Sequence, residues 1–539
     1  MMSDCKELSR RQFLSAVVST AAVSRLPVTG AAILAGESTP ALAQYTEVSA
    51  SVEAPQTCQV DVHWDKAICA SRTFPTAQAV VNPLLRRTSS IHNRVFESLR
   101  DLNADYVRYV PWLPYPKLDV ADLDPPTNGR TSWDFSLIDP MMEDFMNATA
   151  GHPVIVNFST IPQWMFKTSK PVSYPSDADQ VDWEYEQGTE LRDPSMKEVA
   201  EYCGRLVSWY TQGGFRDEYG HEHISGHRYK IDYWEILNEV NFEHRMTPQF
   251  YTALYDAVAE AIHKADPEIK FVGLALAGTS PNTGRAGDAS KYFEYFLNHK
   301  NHKSGIPLDM ISYHCYASLA ADEDLSAAQF TFFEQADNFL DEVRYIESIR
   351  KRLSPETRTT IDETGTILPD DFSQAKTGYV SKPIPNAYWN LSAAIYAYLY
   401  AQLVLLGIDV VGESQFVGYP TQFPSVSMID WTTGQPNARY WALKLLHENF
   451  GPGDKLVESH NSVPYVYVQG FVTQDGKQKL LLVNKRNRPF NVTITGIGGG
   501  KKESVDQTTG EGPPISVHLG SNTLLIGGFG VVVVCPNHQ

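Results

Sequence analysis

Tyr233-Trp234-Glu235-Ile236-Leu237-Asn238-Glu239 is a short apolar run that ends abruptly in an amide and an acid. Aromatic and β-branched side chains suit a pleated strand, and near-continuous apolarity suits one covered on both faces, as in a parallel sheet. The flanks agree. Upstream, Asp193-Pro194 reads as a cap followed by proline at the first helical position, and Met196, Val199, Cys203, Leu206 and Tyr210 recur at helical spacing. Downstream, Thr247-Pro248 opens a second helix with the stripe Tyr251, Leu254, Val258 and Ile262, and Asp266-Pro267 closes it before the next apolar run.

This strand–helix alternation extends from about Cys58 to Phe450. Candidate strands are 60–64, 106–111, 154–158, 233–237, 271–276, 310–313, 359–362 and 410–413. Eight strands with helices between them predict an α/β fold, a closed (β/α)8 TIM barrel over 58–450. No Gly-rich phosphate fingerprint follows any of them, which argues against a dinucleotide site. After Phe450 the texture changes to short strands at 465–468, 479–483, 490–495, 515–519, 523–526 and 531–534, separated by turn signals such as Asp475-Gly476. Residues 451–539 are therefore expected to form an all-β sandwich. Residues 44–57 alternate enough to donate it a strand, which would bring the chain ends together.

A chain of 539 residues exceeds one compact core. Its net charge of −18, without a basic run, argues against a nucleic-acid partner. Ser9-Arg10-Arg11-Gln12-Phe13-Leu14, an Ala/Val-rich stretch and Ala41-Leu42-Ala43 read as a twin-arginine leader over 1–43, hence export to the periplasm or medium. Arg25 and Pro27 interrupt that stretch, so no membrane anchor is expected. Six cysteines make no disulfide framework, although Cys58 is spaced to meet either Cys69 or Cys535. His221, Glu222, His223 and His227 lack the helical order of a zinc protease and read as a solvated loop, so neither metal nor cofactor is expected.

Residues at the C-terminal ends of barrel strands point into the shared mouth. Glu239 ends the fourth strand, and Thr359-Thr360-Ile361-Asp362-Glu363-Thr364-Gly365 places a second acid at the end of the seventh, across from it. Acetal hydrolysis needs one acid to protonate the leaving oxygen and one carboxylate to attack or stabilise the anomeric carbon, so opposed carboxyls suit glycosides. Trp112, Trp164, Trp389 and Trp431 are candidate platforms for sugar rings, and Glu413, at the end of strand eight, is a candidate hydroxyl ligand.

The Asn238-Glu239 pair at strand four, Glu363 at strand seven and the trailing β domain resemble the clan A retaining glycosidases, most closely glycoside hydrolase family 39, whose members include β-xylosidases and α-L-iduronidases. Val240 stands where that family usually has proline, and Thr364 where relatives often have an aromatic residue. The resemblance implies Glu239 as general acid/base and Glu363 as nucleophile. It also implies Asn238 as a ligand of the sugar 2-hydroxyl, His314 and Tyr316 as sugar ligands or orienters of Glu363, and Arg108 as the charge that holds Glu363 ionised. The substrate implied is an oligosaccharide or polysaccharide, cleaved by double displacement. Long segments at 168–191 and 372–386 lean toward exo action on a xyloside-like end. An endo-acting glycanase and a non-catalytic glycan-binding barrel are the alternatives.

Overall fold

A computed structural model of the chain describes residues 55–185, 187–278, 289–320, 323–376 and 379–537. The leader expected over 1–43 and the alternating segment 45–54 lie outside the described residues. Eight parallel strands close a barrel in chain order: Phe74–Val80, Val107–Val110, Val154–Asn157, Tyr233–Glu235, Lys270–Leu276, Met310–Ser318, Arg358–Ile367 and Val410–Glu413, the last pairing with the first.

The period of two along each strand sorts the side chains. Outward residues such as Val154, Val156, Trp234, Phe271, Ile311 and Val411 join the large core between barrel and helices. Inward residues form layers. Ile155, Tyr233, Val272, Met310 and Val410 make an apolar floor. Two positions further along, the same strands carry Asn157, Glu235 and Ser312, and strand six continues with His314 and Tyr316. A barrel that is apolar below and polar above thus follows from alternate residues of strands that look uniformly buried.

The expected first strand at 60–64 is not in the barrel. It lies within the longer strand Gln56–Ala70, which runs antiparallel to Lys455–Asn461 and parallel to Phe490–Ile494 in a separate nine-stranded sheet. Its burial alternates, with Cys58 and Val60 inside and Gln59 and Asp61 exposed, unlike a barrel strand covered on both sides. The true first strand, Phe74–Val80, carries Thr76 and Gln78 at positions that serve the polar layer, while Ala77 and Ala79 join the core between barrel and helices.

The sheet curls around its own core of Val466, Val468, Leu480, Leu482, Phe490, Val492, Ile526, Val532 and Val534. Val531 and Val533, on the opposite face of the last strand, join the barrel core instead. The strands Lys455–Asn461 and Lys501–Val505 had no counterpart in the sequence reading. The helix Asn386–Leu406 has the length and apolarity of a membrane span, but it is packed inside the protein against the barrel and the sheet.

All five described cysteines are free. Cys58 and Cys69 share one extended strand, where a rise of about 3.3 Å per residue carries them far beyond disulfide reach. The histidine-rich stretch forms a small hairpin, Gly214–Arg216 with Glu222–Ile224, in which His221 and His223 both bond Asp217 and His227 bonds Asp139.

Candidate active site

Arg108 organises the mouth. Its side chain is 1% exposed, and its guanidinium serves carboxyl and amide groups from three other strands or their ends. Nε donates to Glu235 Oε2 at 2.6 Å and lies 3.3 Å from Asp362 Oδ2. Nη1 donates to Glu363 Oε1 at 2.5 Å and to Gln78 Oε1 at 2.7 Å, and Nη2 donates to Asn238 Oδ1 at 2.8 Å. The planar fork of arginine permits these simultaneous bonds, whereas a lysine offers one compact ammonium.

Glu363 reaches this cluster because strand seven is irregular. Thr360 pairs with Ser312 and Glu363 with His314, so three steps on one strand match two on the other. The pairing with strand eight shifts at the same place. A bulge of this kind re-aims side chains, and here the consecutive residues Asp362 and Glu363 both approach Arg108. Gly412 makes room: a Cβ there would lie 2.8 Å from the Asp362 carbonyl oxygen.

Two further groups hold the outer oxygen of Glu363. Tyr316 donates to Oε2 at 2.7 Å, and His314 Nδ1 lies 3.4 Å away. Burial pushes the Glu363 carboxyl up, but the charges of His314 and Arg108 and the bonds from Tyr316 and Arg108 outweigh it and hold the group below the usual carboxylate range. Tyr316 Oη also lies 2.6 Å from Ser414 Oγ, which accepts from Gln78 Nε2 at 2.5 Å.

Glu239 stands on the other side of the imidazole. Strand four ends in residues with positive φ, Leu237 at 63° and Glu239 at 43°, and this sparsely populated backbone follows the strand into the mouth. His314 Nδ1 is 3.0 Å from Glu239 Oε1. One oxygen of Glu239, one nitrogen of His314 and one oxygen of Glu363 all lie within 4.8 Å of one another. Glu239 keeps a fifth of its side chain exposed, against a tenth for Glu363, so the two carboxyls differ in their access to solvent. Such a trio has the spacing of a cation site, but the imidazole answers the carboxylates itself. Burial pushes His314 down, and the charge of Glu363, with the bond and charge of Glu239, more than reverses this and raises it to about 9.

Asn238 is held between Arg108 and Glu243, to which its Nδ2 donates at 3.0 Å; Trp112 Nε1 donates to the same Glu243 oxygen at 2.7 Å. Trp112 packs edge-on to Trp183 and near Phe423, and Phe372 meets Phe423, so both long segments contribute rings to one aromatic group.

The structure therefore brings together Arg108, Asn238, Glu239, His314, Tyr316 and Glu363. Three other candidates are occupied elsewhere. Trp164 is buried, its indole N–H bonded to the Asp122 carbonyl and its face covered by Arg192. Trp389 is packed in the core helix against Tyr388. Glu413 is fully buried with Arg439, 2.8 Å away, so no sugar hydroxyl reaches it. Sequence reasoning missed Gln78, Glu235, Asp362, Glu243 and Ser414. For Glu235 a signal existed: it shares the inward parity of Tyr233 within a buried strand.

The model for glycosyl hydrolases family 39 matches residues 54–375. No curated protein sequence matches the chain. Among solved structures, a family 51 arabinofuranosidase from Xanthomonas axonopodis pv. citri superposes with a TM-score of 0.60 at 11% identity, covering 89% of this chain and 100% of its own. A family 39 β-xylosidase from Caulobacter crescentus does so at 0.55 and 15%, covering 89% and 100%. A family 30 xylanase C catalytic domain from Talaromyces cellulolyticus gives 0.54 and 11%, covering 90% and 100%. Identities this low speak for the shared barrel-and-sheet fold alone, whereas the family match spans more than half of the sequence: the chain belongs to glycosyl hydrolase family 39 and is a glycoside hydrolase.

Proposed function

We propose that the protein is an exo-acting, retaining glycosidase with Glu363 as nucleophile and Glu239 as general acid/base. One observation carries the reading: the two carboxyls approach within 4.8 Å, oxygen to oxygen, with Glu363 the more firmly held. Retention uses carboxyls about 5–5.5 Å apart, and inversion about 6.5–9.5 Å. In the first step Glu239 gives its proton to the departing glycosidic oxygen, the bond from that oxygen to the anomeric carbon breaks, and a Glu363 oxygen bonds the carbon. In the second, water attacks the same carbon, Glu239 takes its proton, and the ester bond to Glu363 breaks. Arg108 and Tyr316 bind the carboxylate oxygens of Glu363 and orient it for attack. Asn238 is aligned by Arg108 and Glu243 to meet the 2-hydroxyl.

Exo action draws support from the aromatic group in which residues of both long segments, Trp183 and Phe372, pack around Trp112 and Phe423. The names of the family 39 and family 51 neighbours favour a pentoside, β-D-xyloside first and α-L-arabinoside second. Export rests on the twin-arginine leader and would appear as a mature N-terminus after Ala43.

The test is an aryl glycoside panel with product anomers followed by NMR. Retained configuration is expected, together with loss of activity in Glu363→Ala that added azide restores as the inverted glycosyl azide. Inverted products from the parent, or near-parental turnover by Glu363→Ala, would remove the assignment.

A further inference from the structure

We propose that Asp362 is a neutral acid that donates its proton to Glu235, so that Arg108 balances two anions, Glu235 and Glu363, rather than three. The kinetic part of this inference rests on Glu363 being the nucleophile; the proton assignment does not.

The geometry poses the problem directly. One guanidinium nitrogen, Arg108 Nε, faces both Glu235 Oε2 at 2.6 Å and Asp362 Oδ2 at 3.3 Å. Glu235 is 0% exposed and Asp362 1%. Two carboxylates packed so closely away from water repel strongly, and one takes up a proton.

Which one is decided by the donors around each. Glu235 receives Arg108, Asn157 Nδ2 at 2.5 Å and Ser312 Oγ at 2.5 Å, which satisfies both of its oxygens as an anion's would be. Neither oxygen of Asp362 has a hydrogen-bond donor among the described residues. A buried carboxylate without donors is expensive, whereas a carboxylic acid supplies a donor of its own. Both carboxyls lie against the same Arg108 Nε, which places Glu235 beside Asp362 as the acceptor for that proton. The remaining charged groups near Asp362 leave the choice unchanged: His314 Nε2 is 3.6 Å from Oδ1, too far to donate, Glu363 is the adjacent residue on the bulge, and Glu413 on strand eight is committed to Arg439. Burial and the Glu235 charge push the Asp362 carboxyl well above its ordinary value and outweigh the opposing charges of Arg108 and His314, while Arg108 holds Glu235 down against its own burial.

Asp362 is thus a positioning residue. Its proton locks Glu235 against Arg108 Nε and leaves Nη1 to Glu363, and its neutrality spares the nucleophile a second negative charge on the same bulge.

An amide is the isostere of a neutral acid, and its N–H at this position would donate to Glu235 as the acid does. Asp362→Asn is therefore expected to leave the acid limb of the kcat/KM pH profile on aryl glycosides unmoved, whatever its effect on the plateau, whereas loss of an anion would shift that limb down by about one unit. The double variant Glu235→Gln/Asp362→Asn, which does remove an anion, is expected to show that downward shift. Should the single variant fold poorly, infrared spectroscopy of the parent with carboxyl-labelled Asp at neutral pH still decides. A protonated Asp carboxyl band that persists in Asp119→Asn/Asp371→Asn, which removes two other buried acids, supports the assignment; its absence there overturns it. A shifted acid limb in Asp362→Asn also overturns it. If Glu363→Ala kept full activity, the function would fall while the infrared result stood.

Discussion

Arg108 on strand two and Glu363 on strand seven meet inside the barrel, with Nη1 2.5 Å from Oε1 and the guanidinium almost wholly buried. The contact ties the ionisation of one glutamate to a cation that also binds Glu235, Gln78 and Asn238. Arg108→Lys keeps a charge but loses the fork. The carboxyl of Glu363 then rises toward its ordinary range, so the acid limb of kcat/KM moves up by about one pH unit and activity at neutral pH falls by roughly a hundredfold. pH-rate profiles of the two proteins check this, and an unmoved limb would count against it.

His314 couples the site to stability. Its folded value is raised from 6.5 to about 9, so its contribution is fully present below pH 6.5 and disappears as pH rises through about 9. Thermal unfolding of the parent should weaken across that window by an amount on the order of 3 kcal/mol or less, and His314→Gln should lack this alkaline component. Parallel melting curves for the two proteins would contradict the expectation.

Trp183 is expected to act on binding rather than chemistry. Trp183→Ala removes a ring that packs edge-on against Trp112, whose indole N–H is bonded to Glu243 and through it to Asn238. A rise in KM of about tenfold with kcat nearly kept, and increased cleavage inside longer oligosaccharides, is predicted. A fall in kcat alone would point to disturbed chemistry instead.

Arg439 and Glu413 form a buried pair behind strand eight. Arg439→Met leaves Glu413 without its partner and should cost about 3 kcal/mol or more of stability. Burial pushes Glu413 up to about 7 despite Arg439, so Glu413→Gln, which mimics the protonated form, should be far milder. Denaturant unfolding separates the two; equal losses would refute the reasoning.

Much of this site could be read from Asn238-Glu239 and Ile361-Asp362-Glu363, because strand ends in a barrel have one destination. The bulge could not: nothing in Thr360-Ile361-Asp362-Glu363 announces that two neighbouring acids will face one arginine, which depends on pairing with strands far away in the chain. The first barrel strand differs from the expectation at 60–64 because Val60 and its neighbours alternate as a half-covered strand does, while Phe74–Val80 conceals its strand character behind inward Thr and Gln. Trp164 and Trp389 illustrate a different limit. An indole is equally suited to a sugar, a guanidinium or a helix core, and only tertiary contacts distinguish them.

The last strand, Val531–Cys535, faces two interiors at once, with Val532 and Val534 on one side and Val531 and Val533 on the other. Barrel and sheet are consequently not interchangeable modules that domain shuffling could separate. A gene ending after Phe450 would strip a wall from the enzyme and leave an adhesive flank, and a grafted sheet would have to reproduce those valines before the barrel stayed in solution.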